Sequence, residues 1–286
     1  MGLLDIPPVV SLAEPYAGRM SRRGALRAFG AALLTQALLP SPAAVAADLA
    51  AAKKKVPNPI IVIDAGHGGK DPGTISVSNV QEKDLALTMA AELRRALAAT
   101  GRYDTALTRE DDVFVPLQER VDIAREAKGS LLISLHADAI DRPQTRGASV
   151  YTLSERASDA VAAALAAKEN VVDTVAGVDL SNYSADVRSI LLDLAKRDTE
   201  RQSAAFVAQL LPRLQEETRM LDGSHRSANF AVLRAPDIPS VLIELGYLSN
   251  REDDLLLKQK GHRKHLTRAM VAAVDAYFAH PQSAAS

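Results

Sequence analysis

The sequence predicts an α/β fold: a single domain with a central six-stranded, mostly parallel sheet flanked by helices. Three observations carry this. Short apolar runs bounded by Gly, Pro or charge alternate with stretches whose apolar residues recur at helical spacing. Hydrophobic residues make up 47% of the chain against 24% charged, enough for a sizeable core. Reactive polar residues close several of the runs, and the carboxyl ends of the strands are where such sheets bind ligands.

Residues 1–46 stand apart from that domain. Arg22 and Arg23 precede an apolar stretch from Ala25 to Leu39 and a small-residue ending through Ala46. These are the parts of an export signal, and the paired arginines resemble the Tat type, which carries folded proteins. The stretch is short and is interrupted by Arg27, Thr35 and Gln36, so no stable membrane insertion is expected. Residues 47–59 read as an Ala/Lys linker with two prolines, and no wall-binding domain is expected between Ala47 and Ile60. The chain has no Cys, so no disulfide staples an exported domain. Its formal net charge of -1 gives no reason to expect nucleic acid.

The domain is expected over 60–280, followed by a disordered tail, 281–286. Strands are predicted at Ile60–Ala65, Asp104–Thr108, Leu131–His136, Ala148–Leu153, Phe230–Leu233 and Val241–Leu245. Helices are predicted where Leu85, Met89, Leu93 and Leu97 recur, then at Leu117, Val121 and Ala124. Two more follow at Val187, Ile190, Leu191 and Leu194, and at Leu266, Met270, Val274 and Phe278. Pro212 is expected to kink or end an element.

Four residues carry the chemistry. His67 follows the first strand, in "IVIDAGHGGKDPG"; His136 closes the third; Glu244 sits in the last among apolar neighbours; Glu82 opens the first long helix. Each has a structural alternative. Asn79 to Glu82 fits a capping box, the histidines fit satisfied strand termini, and Glu244 fits a buried ion pair with Arg109 or Arg234. Taken together they favour chemistry: two imidazoles and a carboxylate at one sheet edge make a zinc site with an open position, and a further glutamate is its base.

The stretches "IVIDAGHGGKDPG", "EKDLAL", "LTREDDVFVPLQER", "LLISLHADA" and "FAVLRAPDIPSVLIELGYLSN" resemble the zinc-dependent N-acetylmuramoyl-L-alanine amidases of bacterial cell-wall remodelling. The resemblance implies Zn²⁺ held by His67, Glu82 and His136 at the strand C-terminal edge, with Glu244 as general base. It implies a periplasmic enzyme that cleaves the amide between N-acetylmuramic acid and L-alanine in peptidoglycan. Asp64 and Asp138 are candidates to orient an imidazole, and His225 and Arg226 to contact substrate or oxyanion.

Residues 154–198 exceed what the reaction needs. They resemble the insertion of division-associated amidases, in which a helix occludes the zinc site until a partner displaces it. Glu169 is the candidate blocking carboxylate, with Glu155, Asp159 and Asp173 as competitors. The apolar face of Val187, Ile190, Leu191 and Leu194 is the candidate docking surface for a LytM-type activator. Two rival readings stay open: a zinc carboxypeptidase, and a non-catalytic wall-binding protein.

Overall fold

The computed structural model describes residues 57–140, 142–171, 173 and 190–279, with side chains for all of these except 190–196. The export signal, most of the linker, the tail and the side chains of the expected activator face lie outside the described residues.

Three runs with few polar residues make the centre of the sheet: β1 (Ile60–Ala65), β3 (Leu131–His136) and β6 (Ser240–Glu244). They are buried at almost every position, as parallel strands covered on both faces must be. The remaining strands are β2 (Asp104–Leu107), β4 (Ala148–Leu153) and β5 (Met220–Ala228). The order across the sheet is β2-β1-β3-β6-β4-β5. The first four run parallel, β4 is antiparallel to β6, and β5 is parallel to β4. Register places Asp64 beside Ser134 and His136 beside Glu244.

The helices are α1 (Glu82–Ala99), α2 (Leu117–Glu126), α3 (Ala160–Asn170), α4 (Ile190–Glu217), α5 (Arg251–Lys258) and α6 (Lys260–Ala279). On one face of the sheet Ile61, Ile63, Ile133, Leu135 and Ile243 pack against Leu93 of α1, Phe206 of α4 and Met270 of α6. On the other, Val62 and Leu132 meet Val121 and Ala124 of α2, while Tyr151 and Leu242 meet Leu165 of α3. Each such fully buried aliphatic contributes about 1.5–3 kcal/mol relative to exposure. The side chains at the sheet's carboxyl edge are therefore mounted on a rigid base. Among the described residues no helix is long and apolar enough to cross a membrane.

One expectation is corrected and another is narrowed. The fifth strand is Met220–Ala228, and the predicted Phe230–Leu233 instead forms a 3-10 turn over Ala231–Leu233. Met220–Ala228 is an edge strand of mixed exposure, so it lacks apolar alternation. Phe230, Val232 and Leu233 are apolar because they pack under α3 beside Tyr151. Pro212 does not end an element: α4 runs through it to Glu217.

Candidate metal centre

The loop after β1 folds back on itself through paired backbone bonds between Gly68 and Asp71. His67 takes φ 59° there, a left-handed conformation that costs a non-glycine residue about 1–2 kcal/mol. Two buried arginines hold the turn in place. Arg120 donates to the carbonyls of Ala65, His67 and Val115 and to Asp64; Arg109 donates to those of Ala65, Gly66, Lys83 and Asp111. The same loop caps α1, whose first amides donate to the carbonyls of Pro72 and Thr74.

Four side chains converge above this turn. His67 Nδ1 donates to Asp71 Oδ2 at 2.7 Å, because an ionised carboxylate only accepts. That leaves Nε2 pointing inward, buried and, among the described residues, without a hydrogen-bond partner. Glu82 Oε1 lies 3.1 Å from His67 Nε2 and 3.2 Å from His136 Nδ1. Glu169 Oε2, from α3, lies 3.8 Å and 3.4 Å from the same two nitrogens. One ligand atom from each of His67, His136 and Glu169 falls within 4.8 Å of the others. Two glycines make the approach possible: a Cβ on Gly66 would stand 2.4 Å from His136 Cε1, and one on Gly73 would stand 2.7 Å from His67 Cδ2.

The electrostatics suit a cation. Burial alone would depress the His67 imidazole, but Glu82, Glu169 and Asp71 outweigh it and push it well above its usual range. Glu82 is the converse case: burial would raise it, and the two imidazoles hold it well below the carboxylate range. Burial pushes Glu169 up. An orphaned imidazole nitrogen amid carboxylates, with both arginines committed to the loop, is the donor set a divalent metal fits.

Glu244 sits beside this cluster, fully buried at the end of β6. Its Oε2 accepts from the Asp138 amide at 2.9 Å, and its Oε1 has no partner among the described residues. Burial, then the charges of Glu82 and Asp138, push its carboxyl well above the usual range. The ion pair with Arg109 or Arg234 does not form: Arg109 donates to loop carbonyls and Arg234 to Asn229. The capping box does not form either, since Gln81 is the N-cap residue and Glu82 instead accepts from the amides of Thr74 and Ala137.

The weaker candidates scatter. Asp64 is committed to Arg120, Ser134 and Thr108 rather than to an imidazole. His225 faces Thr152, and Arg226 pairs with Asp159, away from the cluster. Asp159 caps α3, Asp173 accepts from the Leu117 amide, and Glu155 is exposed. Asp71 was among the residues that sequence reasoning missed. Its only signal was its place four residues after His67 in a tight turn.

The geometry can be set beside known proteins. The sequence profile of the N-acetylmuramoyl-L-alanine amidase family (Amidase_3) matches residues 61–276. N-acetylmuramoyl-L-alanine amidase AmiC of Neisseria meningitidis serogroup B is 38% identical over 221 residues, which is 77% of this chain and 53% of that protein. AmiA of Escherichia coli K12 is 36% identical over 228 residues, 79% of this chain and 78% of that protein. The chain thus spans about half the length of the first relative and about four fifths of the second. The catalytic domain of CwlV, an N-acetylmuramoyl-L-alanine amidase from Bacillus (Paenibacillus) polymyxa var. colistinus, shares the fold. Its TM-score is 0.56 at 24% identity, covering 77% of this chain and 98% of that one. A profile match over residues 61–276, together with relatives such as AmiA at 36% identity, places the chain in the N-acetylmuramoyl-L-alanine amidase family.

Proposed function

We propose that the chain is a zinc-dependent N-acetylmuramoyl-L-alanine amidase, hydrolysing the amide between N-acetylmuramic acid and L-alanine in peptidoglycan. The observation that carries this is the convergence of His67, His136 and Glu82 beside the buried, half-unpartnered Glu244. His67 Nε2, His136 Nδ1 and Glu82 would hold the metal. A Zn²⁺ there supplies Lewis acidity, polarising a carbonyl and acidifying water. Glu244 takes the proton of the attacking water at its unpartnered Oε1 and returns it to the leaving nitrogen, acting in turn as base and acid. Its upward-shifted carboxyl suits a group that must hold that proton between the two steps. Asp71 fixes the His67 tautomer, and Arg109 and Arg120 keep the loop from relaxing.

The enzyme of this reading is exported by the Tat route to the periplasm, acts in daughter-cell separation and is autoinhibited. Glu169 competes for the open metal position, and a LytM-type activator releases it. Support comes from the inward stripe of α3, where Ala162, Leu165, Ala166 and Glu169 are all buried, a spacing that aims one helix face at the site.

The test is digestion of sacculi by the zinc-loaded full chain, wild type and Glu169→Ala, with mass analysis of the products. Peptides beginning with alanine, released faster by Glu169→Ala, are expected. Cleavage inside the peptide would point to a carboxypeptidase, and zinc binding without cleavage by either form would point to a wall-binding protein.

A further inference from the structure

Two adjacent residues of α3 enter the site, and they bring opposite charges. Glu169 faces the two imidazoles. Lys168 reaches past them: its Nζ donates to Asp138 Oδ1 and, at 3.0 Å, to Thr74 Oγ1. The Thr74 hydroxyl gives its own proton to Asp138 Oδ1 at 2.6 Å, so only its lone pairs face the ammonium. Asp138 is 1% exposed, and its second carboxylate oxygen is buried with no partner among the described residues. Among the described residues, the two side chains that Lys168 donates to here are acceptors, one of them a carboxylate with a second oxygen to spare. That is the chemistry of a site for an amino group carrying three protons. The Lys168 side chain is 49% exposed, so the present occupant can leave without unpacking the core.

The place of this site gives it meaning. The Asp138 amide donates to Glu244 Oε2, so the acceptor cluster adjoins the carboxyl that returns a proton to the leaving nitrogen. Lys168 is held charged: burial would depress it, and Asp138, Glu82 and Glu169 outweigh that. Amide hydrolysis adds one water across the C–N bond and leaves, at neutral pH, one carboxylate and one ammonium. Glu169 and Lys168 place one of each, side by side, at the two halves of the site.

We propose that Asp138 and Thr74 form the subsite for the ammonium that amide cleavage releases, the amino terminus of an alanine-first peptide, with Lys168 as its internal surrogate. The proposal rests on the amidase reading above. It makes Asp138 a binding residue for product, and for the departing nitrogen as it gains its proton.

The test uses the full chain stripped of metal by chelator, at pH 7, where a peptide amino terminus is largely protonated. L-alanyl-L-alanine and its N-acetylated form are titrated by calorimetry into wild type, Lys168→Met, Lys168→Met/Thr74→Val and Lys168→Met/Asp138→Asn. With charge-assisted bonds at stake, Lys168→Met is expected to bind the free amine about tenfold tighter than the acetylated peptide. Wild type, its site filled, should discriminate several-fold less, and either second substitution should abolish the preference. Equal binding of the two peptides by Lys168→Met overturns the proposal, as does a preference that survives Thr74→Val and a folded Asp138→Asn. A parallel digestion of sacculi by zinc-loaded Glu169→Ala separates the two readings. No alanine-first peptide there sinks the amidase reading and, with it, the product assignment; release without amine preference sinks the subsite alone.

Discussion

Replacing Asp71 by Asn tests how the turn after β1 prepares its histidine. In the wild type Asp71 Oδ2 accepts a hydrogen bond from His67 Nδ1 at 2.7 Å while Oδ1 accepts from the Gly73 amide at 3.0 Å. Asn keeps the shape and can keep the Gly73 bond through its carbonyl oxygen. Its amino group then faces Nδ1 and favours the tautomer with the proton on Nε2, the atom proposed to bind the metal. Losing such a partner costs about 10–100-fold in metal affinity, which is about 1.4–2.7 kcal/mol. Zinc affinity is measured at pH 7 by competition with a chromophoric chelator, with melting temperature of the metal-free chain as the control for folding. Asp71→Asn should lose at least tenfold with little change in melting. Affinity within about twofold of wild type would mean the tautomer is set elsewhere and the argument fails.

Three further outcomes are expected. Glu244→Gln should keep its zinc and lose about 10²–10⁴-fold in turnover; loss of metal alongside activity would make Glu244 a ligand instead of a base. Gly73→Ala and Gly101→Ala both put a Cβ on a left-handed residue, at φ 64° and 67°, but only the first meets neighbours, at 2.7 Å from His67 and 2.8 Å from Glu82. Both should lose about 1 kcal/mol of backbone stability, and only Gly73→Ala should also lose zinc affinity; equal affinities would show that the loop yields. Asp64 is lowered from 3.8 to about 2, because Arg120, Ser134 and Thr108 outweigh the burial that alone would raise it. A depressed folded-state pKa means that stability of about 2 kcal/mol is present above 3.8 and lost as pH falls toward 2. Urea unfolding across that window should therefore flatten in Asp64→Asn, which also costs about 3–5 kcal/mol at neutral pH by stranding the buried Arg120.

Much of this architecture was legible because the central strands have to be apolar on both faces. Ile60–Ala65, Leu131–His136 and the strand around Val241 could hardly be anything else, and the histidines and glutamate at their ends stand out by contrast. The strand at Met220 was illegible for the converse reason: an edge strand of mixed exposure carries no alternation. Phe230–Leu233 imitated a strand because a buried 3-10 turn needs the same apolar residues. Within the site, Glu82 was ambiguous in sequence because a first-turn glutamate also suits a helix end, and only the Ala137 and Thr74 amides reveal where its oxygens go. Arg109 and Arg120 stood in a recognisable stretch, yet their work is done on backbone carbonyls, which no side-chain pattern records. Glu169 had a readable signal in its continuation of the stripe formed by Ala162, Leu165 and Ala166.

The carboxylate that α3 brings to the cluster belongs to the same chain as the cluster. In the autoinhibited reading proposed above, it is an inhibitor on a tether, which faces its target at an effective concentration on the order of millimolar, whatever the concentration of the protein. On that reading, diluting the enzyme or producing more of it would leave the closed fraction unchanged. An autoinhibited protein of this kind, kept in excess, would be a reserve whose release is set by the energy of one helix rather than by the number of molecules.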